Sequence, residues 1–211
     1  MTQNIQTQTP ALHPSPTSSD RISYEEFLQS KEYLWAEWVD GEVIQLSPAS
    51  KRHQLLVNFL AALLQHFVEA NRLGLIISAP FQMKTGVDLP GREPDILFIA
   101  SDHLERLKDT YLAGAADVVV EVISPESLTR DRGDKFSEYE RGGVKEYWLV
   151  DPIRQLAEFY RLDNEVYRLA PVANDGIYRS TVIAGLWLRI EWLWQEPLPS
   201  LMSILKEWGL I

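Results

Sequence analysis

The stretch DVVVEVIS, residues 117–124, constrains the fold most strongly, because it predicts a strand that is apolar on both faces. Such a strand lies in the middle of a sheet that is covered on both sides. Side chains alternate along a strand, so Glu121 shares its face with Val119 and Ile123. A carboxylate in this apolar layer is costly to bury unless a cation, a metal ion or several hydrogen-bond donors compensate it.

A second acidic strand candidate precedes it along the chain, in the stretch REPDILFIA, residues 92–100. The same alternation places Glu93 and Asp95 on one face of this strand. If the two strands pair with Asp95 and Glu121 on the same side, both carboxylates can reach one divalent ion. The chain has no cysteine, so a metal ion would be held by oxygen or imidazole, and Mg²⁺ or Mn²⁺ is the expected ion.

A lysine follows on the next predicted element, a helix over TRDRGDKFSEYERGG that ends at the pair of glycines. Asp131, Lys135 and Tyr139 stand four residues apart and therefore share one side of this helix. An ammonium group beside a metal-bound water can orient that water and offset negative charge at a phosphate. The pattern predicts a catalytic role for Lys135, with Asp131 and Tyr139 as residues that position it.

Two further residues are secondary candidates. Glu37, in the hairpin sequence WAEWVDGE, is a candidate metal ligand or base, and His53, at the start of a helix, is a candidate phosphate or metal contact. Each also has a purely structural explanation, because hairpin acids and first-turn polar residues are usually exposed to solvent.

The three main candidates have structural alternatives as well. Glu121 would also be explained by an ion pair with Arg130 or Lys135, and Asp95 by a cap at the start of a strand. Lysines on helices are usually solvated.

The order of predicted elements defines the fold class. Helices are predicted at SYEEFLQ and from about residue 50 to 73, and a hairpin turns at Asp40-Gly41. Strands are predicted in the stretches LIISAPFQMKT, EPDILFIA, DVVVEVIS and EYWLVDP, followed by a hairpin over LAEFYRLDNEVYRLA. This order predicts an α/β (α+β) fold with a central mixed β-sheet flanked by helices. Residues 1–20, rich in Gln, Thr, Ser and Pro, are predicted to form a disordered tail, and residues 21–211 a single domain with a C-terminal extension.

Charge and composition limit the partners. The net charge of −10 argues against strong sequence-independent binding to nucleic acid, although five cations follow Glu121 closely and predict a local basic surface. These are Arg130, Arg132, Lys135, Arg141 and Lys145. The chain shows neither a secretory signal nor a membrane-spanning run, so a cytoplasmic protein is expected. The C-terminal tryptophans favour a subunit interface, as in a homodimer.

Several of these motifs together resemble the Uma-type restriction endonuclease family of the PD-(D/E)XK nuclease superfamily. They are EWVDGEVIQLSP, the His53 that begins HQLLVNFLAALL, EPDILFIA, VVVEVISPES and DRGDKFSEYERGGVKEYWLVDP, within about residues 22 to 190. The resemblance implies a restriction-endonuclease-like core and Mg²⁺-dependent phosphodiester hydrolysis, with Asp95 and Glu121 as metal ligands. The lysine that the superfamily places two residues after the glutamate is Ile123 here, and the resemblance assigns its role to Lys135 on the following helix.

Three functions are therefore expected in order of preference. The first is a Mg²⁺-dependent endodeoxyribonuclease. The second is a catalytically inert nuclease-fold module that binds a protein or nucleic-acid partner, which Ile123 and the acidic net charge both favour. The third is a hydrolase of a small phosphorylated substrate, which would not require a long polyanion to dock on an acidic protein.

Overall fold

Two mixed β-sheets, a two-stranded antiparallel sheet of Ile177–Arg179 and Trp187–Arg189, and the helices around them form the structure, a computed structural model that describes residues 21–33 and 35–211. The predicted disordered tail, residues 1–20, lies outside the described residues. The first elements along the chain are α1 (Tyr24–Gln29), β1 (Ala36–Val39), β2 (Glu42–Gln45), α2 (Lys51–Ala70), β3 (Gly74–Ser78), β4 (Gln82–Lys84), β5 (Gly91–Arg92), β6 (Ile96–Ala100) and a 3₁₀ helix (Ser101–Arg106). They are followed by β7 (Tyr111–Ala113), β8 (Val118–Val122), α3 (Leu128–Arg132), α4 (Asp134–Gly142), β9 (Glu146–Asp151), β10 (Leu156–Asp163), β11 (Val166–Leu169), β12 (Ile177–Arg179), β13 (Trp187–Arg189), a 3₁₀ helix (Ile190–Trp194) and α5 (Leu201–Glu207).

The larger sheet has six strands in the order β11-β10-β9-β8-β6-β3. β8 and β9 run parallel, and the other neighbours are antiparallel. β8 is central and fully buried, because Val118, Val120 and Val122 pack into one hydrophobic cluster while Val119 and Ile123 pack into another. The predicted α/β class with a mixed sheet flanked by helices is confirmed.

A smaller five-stranded sheet, in the order β2-β1-β5-β4-β7, was not predicted. One of its strands, β4, lies in the second half of LIISAPFQMKT. The sequence predicted this whole stretch as a single strand. In the structure this stretch leaves the larger sheet after β3 and joins the smaller sheet as β4. Pro80 lies between the two strands and has no N–H to donate to a ladder, which favours the break. The smaller sheet brings the hairpin acid Glu37 next to the larger one.

Helix α2 crosses the larger sheet and carries a buried stripe that includes Leu56, Leu60 and Leu63. Ser50 caps its first turn by accepting a hydrogen bond from the amide of His53 at 3.2 Å, which fixes the start of the helix near the end of β8. No helix among residues 21–33 and 35–211 is long and apolar enough to cross a membrane.

The predicted single helix after β8 is wrong in one respect: it is broken into α3 and α4 at Gly133, whose backbone angles of −117° and −88° are not helical. The backbone approaches itself closely there, since a Cβ on Gly133 would lie 2.8 Å from the carbonyl oxygen of Thr129. Asp131 and Lys135 therefore belong to different helices.

The tryptophans of the C-terminal segment pack within the chain, although the sequence favoured a subunit interface for them. Trp192 is buried in the core under the larger sheet, and the ring centroid of Trp208 lies 5.2 Å from that of Phe67 on α2. Their burial is explained by the fold and gives no support to the interface.

The start of β3 provides a test of the close approach between β3 and β6 at the edge of the larger sheet. Gly74 has a φ of +152°, and a Cβ there would lie 2.0 Å from the carbonyl oxygen of Ile99. We expect Gly74→Ala to lower the free energy of unfolding in urea by about 3 kcal/mol or more, from backbone strain and overpacking. Gly176→Ala is the control, because Gly176 also has a positive φ, +73°, but open space around it. Its expected loss is about 1 kcal/mol, and equal losses in the two variants would contradict the role of the close approach.

Candidate active site

A cavity of about 600 Å³ lies between the β2–α2 loop, the first half of α2, the end of β8 and α3. Five of the seven predicted site residues line it: His53, Asp95, Glu121, Asp131 and Lys135. The other two, Glu37 and Tyr139, stand behind them and contact lining residues. The fold therefore brings all seven predicted residues to one place.

Lys135 reaches Glu121 from the following helix, as the resemblance implied. Its Nζ lies 2.8 Å from Oε1 of Glu121, and the hydroxyl of Tyr139 donates to the same oxygen at 3.1 Å. Both Glu121 and Lys135 are only 3% exposed. Ile123, which occupies the usual position of the lysine in the superfamily, is buried in the core. The alternative of an ion pair between Glu121 and Lys135 is thus present in the structure, so a metal role has to be argued from the remaining oxygens.

The ammonium of Lys135 is shared by three carboxylates. Besides Glu121, it lies 3.0 Å from Oε1 of Glu37 and 3.4 Å from Oδ1 of Asp131. We call these four side chains the acid–lysine cluster. Burial acts to lower the pKa of Lys135, but the charges of Glu121, Glu37 and Asp131 outweigh it and raise the pKa well above its usual value. At 3.4 Å the contact with Asp131 is an ion pair, and Oδ1 of Asp131 receives no hydrogen bond, so the predicted catalytic role of Lys135 stays a prediction.

Glu37 is fully buried and is not the exposed hairpin acid that its sequence position would suggest. Its Oε2 lies 2.9 Å from Arg92 and 3.5 Å from Arg130, while Oε1 binds Lys135. Burial acts to raise the pKa of Glu37, but these cations lower it to about 2. Both oxygens are occupied, which argues against its predicted roles as metal ligand or base and makes it a structural anchor.

Asp95 is held in place by its neighbours on two elements. Its Oδ2 accepts the amide of Val122 on β8 at 2.7 Å and lies 3.3 Å from Nε2 of His53. Burial acts to lower the pKa of His53, but the hydrogen bond and charge of Asp95 outweigh it, and the pKa is raised. His53 therefore contacts a predicted metal ligand and positions it.

Each of the two predicted metal ligands keeps one oxygen without a donor. Among residues 21–33 and 35–211, the hydrogen bonds to Glu121 all reach Oε1, and those to Asp95 all reach Oδ2. Oε2 of Glu121 and Oδ1 of Asp95 are therefore available on two carboxylates that line the same cavity. This donor set fits a hard divalent cation such as Mg²⁺.

The fit has a limit, because the described part of the chain has no group of three or more His, Cys, Asp or Glu side chains placed to hold a metal ion. An ion in this cavity would be bound by two carboxylates and complete its shell with water, as Mg²⁺ commonly does. The negative charges of Asp131 and Asp95 near Glu121 favour such an ion. Burial raises the pKa of Glu121, Lys135 lowers it, and the charges of Asp131 and Asp95 raise it again, so the net result is a raised pKa.

One lining residue, Glu93, was not predicted as a site residue. It is 7% exposed, its Oε2 accepts a hydrogen bond from Gln82 at 3.1 Å, and its Oε1 has no partner. Burial raises the pKa of Glu93 to about 7. The strand alternation that selected Asp95 also placed Glu93 on the same face. This alternation could therefore have identified Glu93 as a site residue.

Ion pairs within the chain neutralise most of the cations that were predicted to form a local basic surface. Arg130 and Lys135 contact Glu37, Arg132 pairs with Glu158, and Lys145 lies 2.8 Å from Asp117. Four of the five cations that follow Glu121 are therefore partly or fully neutralised. Electrostatic attraction of a long polyanion is correspondingly reduced.

A mixed sheet that brings Glu121 on β8, Asp95 directly before the neighbouring strand β6 and a lysine to one cavity places the protein in the restriction-endonuclease-like class of α/β folds. The family model of Uma2, described as "Putative restriction endonuclease", matches residues 24–191, and the chain belongs to this family. A solved structure with a similar fold is that of a protein from Anabaena variabilis ATCC 29413, described as a putative nuclease belonging to DUF820. It aligns with a TM-score of 0.66 at 21% identity, over 82% of this chain and 97% of that one, and shows the fold. No curated protein matches this chain.

The anchoring role of Glu37 can be tested through the pH dependence of stability. The pKa of Glu37 is lowered from 4.5 to about 2 in the folded state. Its ionised carboxylate therefore adds to the free energy of unfolding above pH 4.5, and this contribution is lost as the pH falls through the folded pKa. We expect Glu37→Gln to lower the free energy of unfolding by about 3 kcal/mol at pH 7. The difference from the wild type should shrink between pH 4.5 and 2, as measured by urea denaturation.

Glu42→Gln provides the matched control, because Glu42 is a half-exposed acid of the same hairpin. Its expected effect is below about 0.5 kcal/mol at either pH. A loss in Glu37→Gln that is the same at pH 3 and pH 7 would contradict the ionic anchor.

Proposed function

We propose that this protein is a metal-dependent nuclease that hydrolyses phosphodiester bonds in DNA, with Mg²⁺ or Mn²⁺ held by Asp95 and Glu121. The observation that carries the proposal is the pair of free oxygens, Oδ1 of Asp95 and Oε2 of Glu121, on two firmly held carboxylates in one cavity. Membership of the Uma2 family supports the nuclease class.

The side chains around the two carboxylates act by positioning them. The amide of Val122 and the ring of His53 hold Oδ2 of Asp95, while Lys135 and Tyr139 hold Oε1 of Glu121. Each carboxylate therefore has one fixed oxygen and presents the other, and little reorganisation is needed to receive a cation. When bound, the metal ion would lower the pKa of a water molecule and neutralise charge at the phosphate.

Lys135 contributes charge to this site. Its ammonium offsets three carboxylates and thereby helps Glu121 remain ionised in spite of its burial. Lys135 is thus a positioning residue in this proposal.

The rest of the proposal concerns partners. DNA is the proposed substrate, and the internal pairing of four of the five cations that follow Glu121 implies that this segment offers few cations to its backbone. We further propose that the protein is cytoplasmic. We also propose that it is a homodimer, because two copies of the site would be needed to cut both strands of a duplex.

The proposal predicts that the purified protein converts supercoiled plasmid to nicked or linear forms in Mg²⁺ or Mn²⁺. Asp95→Asn and Glu121→Gln should each lower the rate at least about 100-fold, because either change removes a charged ligand. Both variants should also lose the binding of Mn²⁺ that calorimetry detects in the wild type. Asp134→Asn, at an exposed carboxylate beside Lys135, is the control and should behave like the wild type.

A second candidate function is an inert nuclease-fold module that binds a protein or nucleic-acid partner. It is favoured by the ion pairs of Lys135 with three carboxylates, which give this lysine a structural role, and by Ile123 at the usual lysine position. This alternative predicts no cleavage with any divalent metal ion. It also predicts that Asp95→Asn folds normally and is more stable than the wild type, because its like charge beside Glu121 is removed. Cleavage that is lost in both Asp95→Asn and Glu121→Gln would exclude it.

A further inference from the structure

Glu93 differs from the other acids at the cavity in the partners that hold it. Glu121 and Asp131 contact Lys135, Glu37 contacts three cations, and Asp95 lies beside His53. Within the described residues, Glu93 has no cation within ion-pairing distance and receives its side-chain hydrogen bond from a neutral amide, that of Gln82. A buried acid of this kind is not explained by an ion pair.

The carboxylate of Glu93 is nevertheless held firmly on one side. Gln82 donates to Oε2 of Glu93 at 3.1 Å, and its amide nitrogen also donates to the backbone carbonyl of Ala36 at 2.8 Å. This orients one oxygen and leaves Oε1 buried without a donor. A buried polar atom without a partner costs about 1–3 kcal/mol. Because Glu93 lines the cavity, a water molecule bound there would remove this cost.

The other side chains at the cavity are less able to hold the attacking water. The ammonium of Lys135 is a donor only and cannot accept a proton from water, and both oxygens of Glu37 are bound by cations. Oδ1 of Asp131 also has no hydrogen-bond partner, but it lies 3.4 Å from the ammonium of Lys135, which compensates its charge. Asp95 and Glu121 are assigned to the metal ion. Among the described residues that line the cavity, Glu93 is thus a buried carboxylate that has a free oxygen and no cation within ion-pairing distance.

We propose that Oε1 of Glu93 binds the water that attacks the phosphate and accepts its proton. This inference rests on the proposed nuclease function. The water oxygen forms a new bond to phosphorus, and the bond from phosphorus to the leaving oxygen breaks. One proton of the water passes to Glu93, and the leaving oxygen takes a proton from solvent. No reactant other than water and the phosphodiester is required.

The proposal distinguishes Glu93 from a third metal ligand. Residues 21–33 and 35–211 contain no group of three or more potential ligands at one point, so Glu93 does not complete a site with Asp95 and Glu121. Loss of its charge should therefore reduce turnover and leave metal affinity unchanged.

Three variants test this role. Glu93→Gln removes the charge, keeps the shape and retains an oxygen that can accept from Gln82, so it should fold. Glu93→Asp keeps the charge but withdraws it by one methylene. Glu126→Gln is the control, because Glu126 lines the same cavity but is exposed at its mouth. Each variant is measured for Mn²⁺ affinity by calorimetry, for binding of a short DNA duplex in Ca²⁺, and for single-turnover cleavage in Mg²⁺.

We expect the cleavage rate to fall at least 100-fold in Glu93→Gln and at least 10-fold in Glu93→Asp, within the range of general base catalysis. The affinities for Mn²⁺ and for DNA should stay within about twofold of the wild type, and Glu126→Gln should match the wild type in all three measurements.

The possible failures are distinguishable. If the wild type does not cleave DNA, the proposed function is wrong and this inference falls with it. If the wild type cleaves and Glu93→Gln cleaves equally fast, the inference alone is wrong. If Glu93→Gln loses Mn²⁺ affinity together with activity, Glu93 is a metal ligand and the water-binding role is overturned.

Discussion

The contact of one buried ammonium with three carboxylates underlies the architecture of this site. Lys135 joins Glu37 on β1, Glu121 on β8 and Asp131 on α3, so that a single charge connects both sheets and the two helices after β8. Removing one partner of a buried ion pair typically costs about 3–5 kcal/mol, because the other charge is left uncompensated. The apolar strand β8 can carry Glu121 because this ammonium lies beside it.

The same contacts divide the acids of the cavity into two groups. Glu37 has both oxygens bound by cations and serves as a fixed anion. Asp95, Glu121 and Glu93 each have one oxygen held by donors and one without a donor. Fixed carboxylates with available oxygens are suited to bind a cation and a water molecule with little reorganisation. The structural anchor and the candidate ligands are thus all carboxylates. They differ in how many cations lie beside each of them.

Much of the site was predictable because it depends on local periodicity. Strand alternation identified Asp95 and Glu121, and the four-residue spacing of Lys135 and Tyr139 identified the side of α4 that meets Glu121. The interactions that the sequence did not predict are long-range. Arg92 binds Glu37, which lies 55 residues earlier in the sequence. The ion pair of Arg132 with Glu158 depends on how α3 packs beside β10. The smaller sheet and the break at Gly133 likewise follow from tertiary contacts, which a pattern within one segment does not contain.

The most direct test of the account is a crystal structure of the protein grown with Mn²⁺ and measured at the manganese absorption edge. The account predicts one anomalous peak in the cavity, between Oδ1 of Asp95 and Oε2 of Glu121, with water completing the coordination shell. Lys135 should keep its three carboxylate contacts in that structure. A cavity without a peak at millimolar Mn²⁺, or a peak held by other residues, would contradict the central claim.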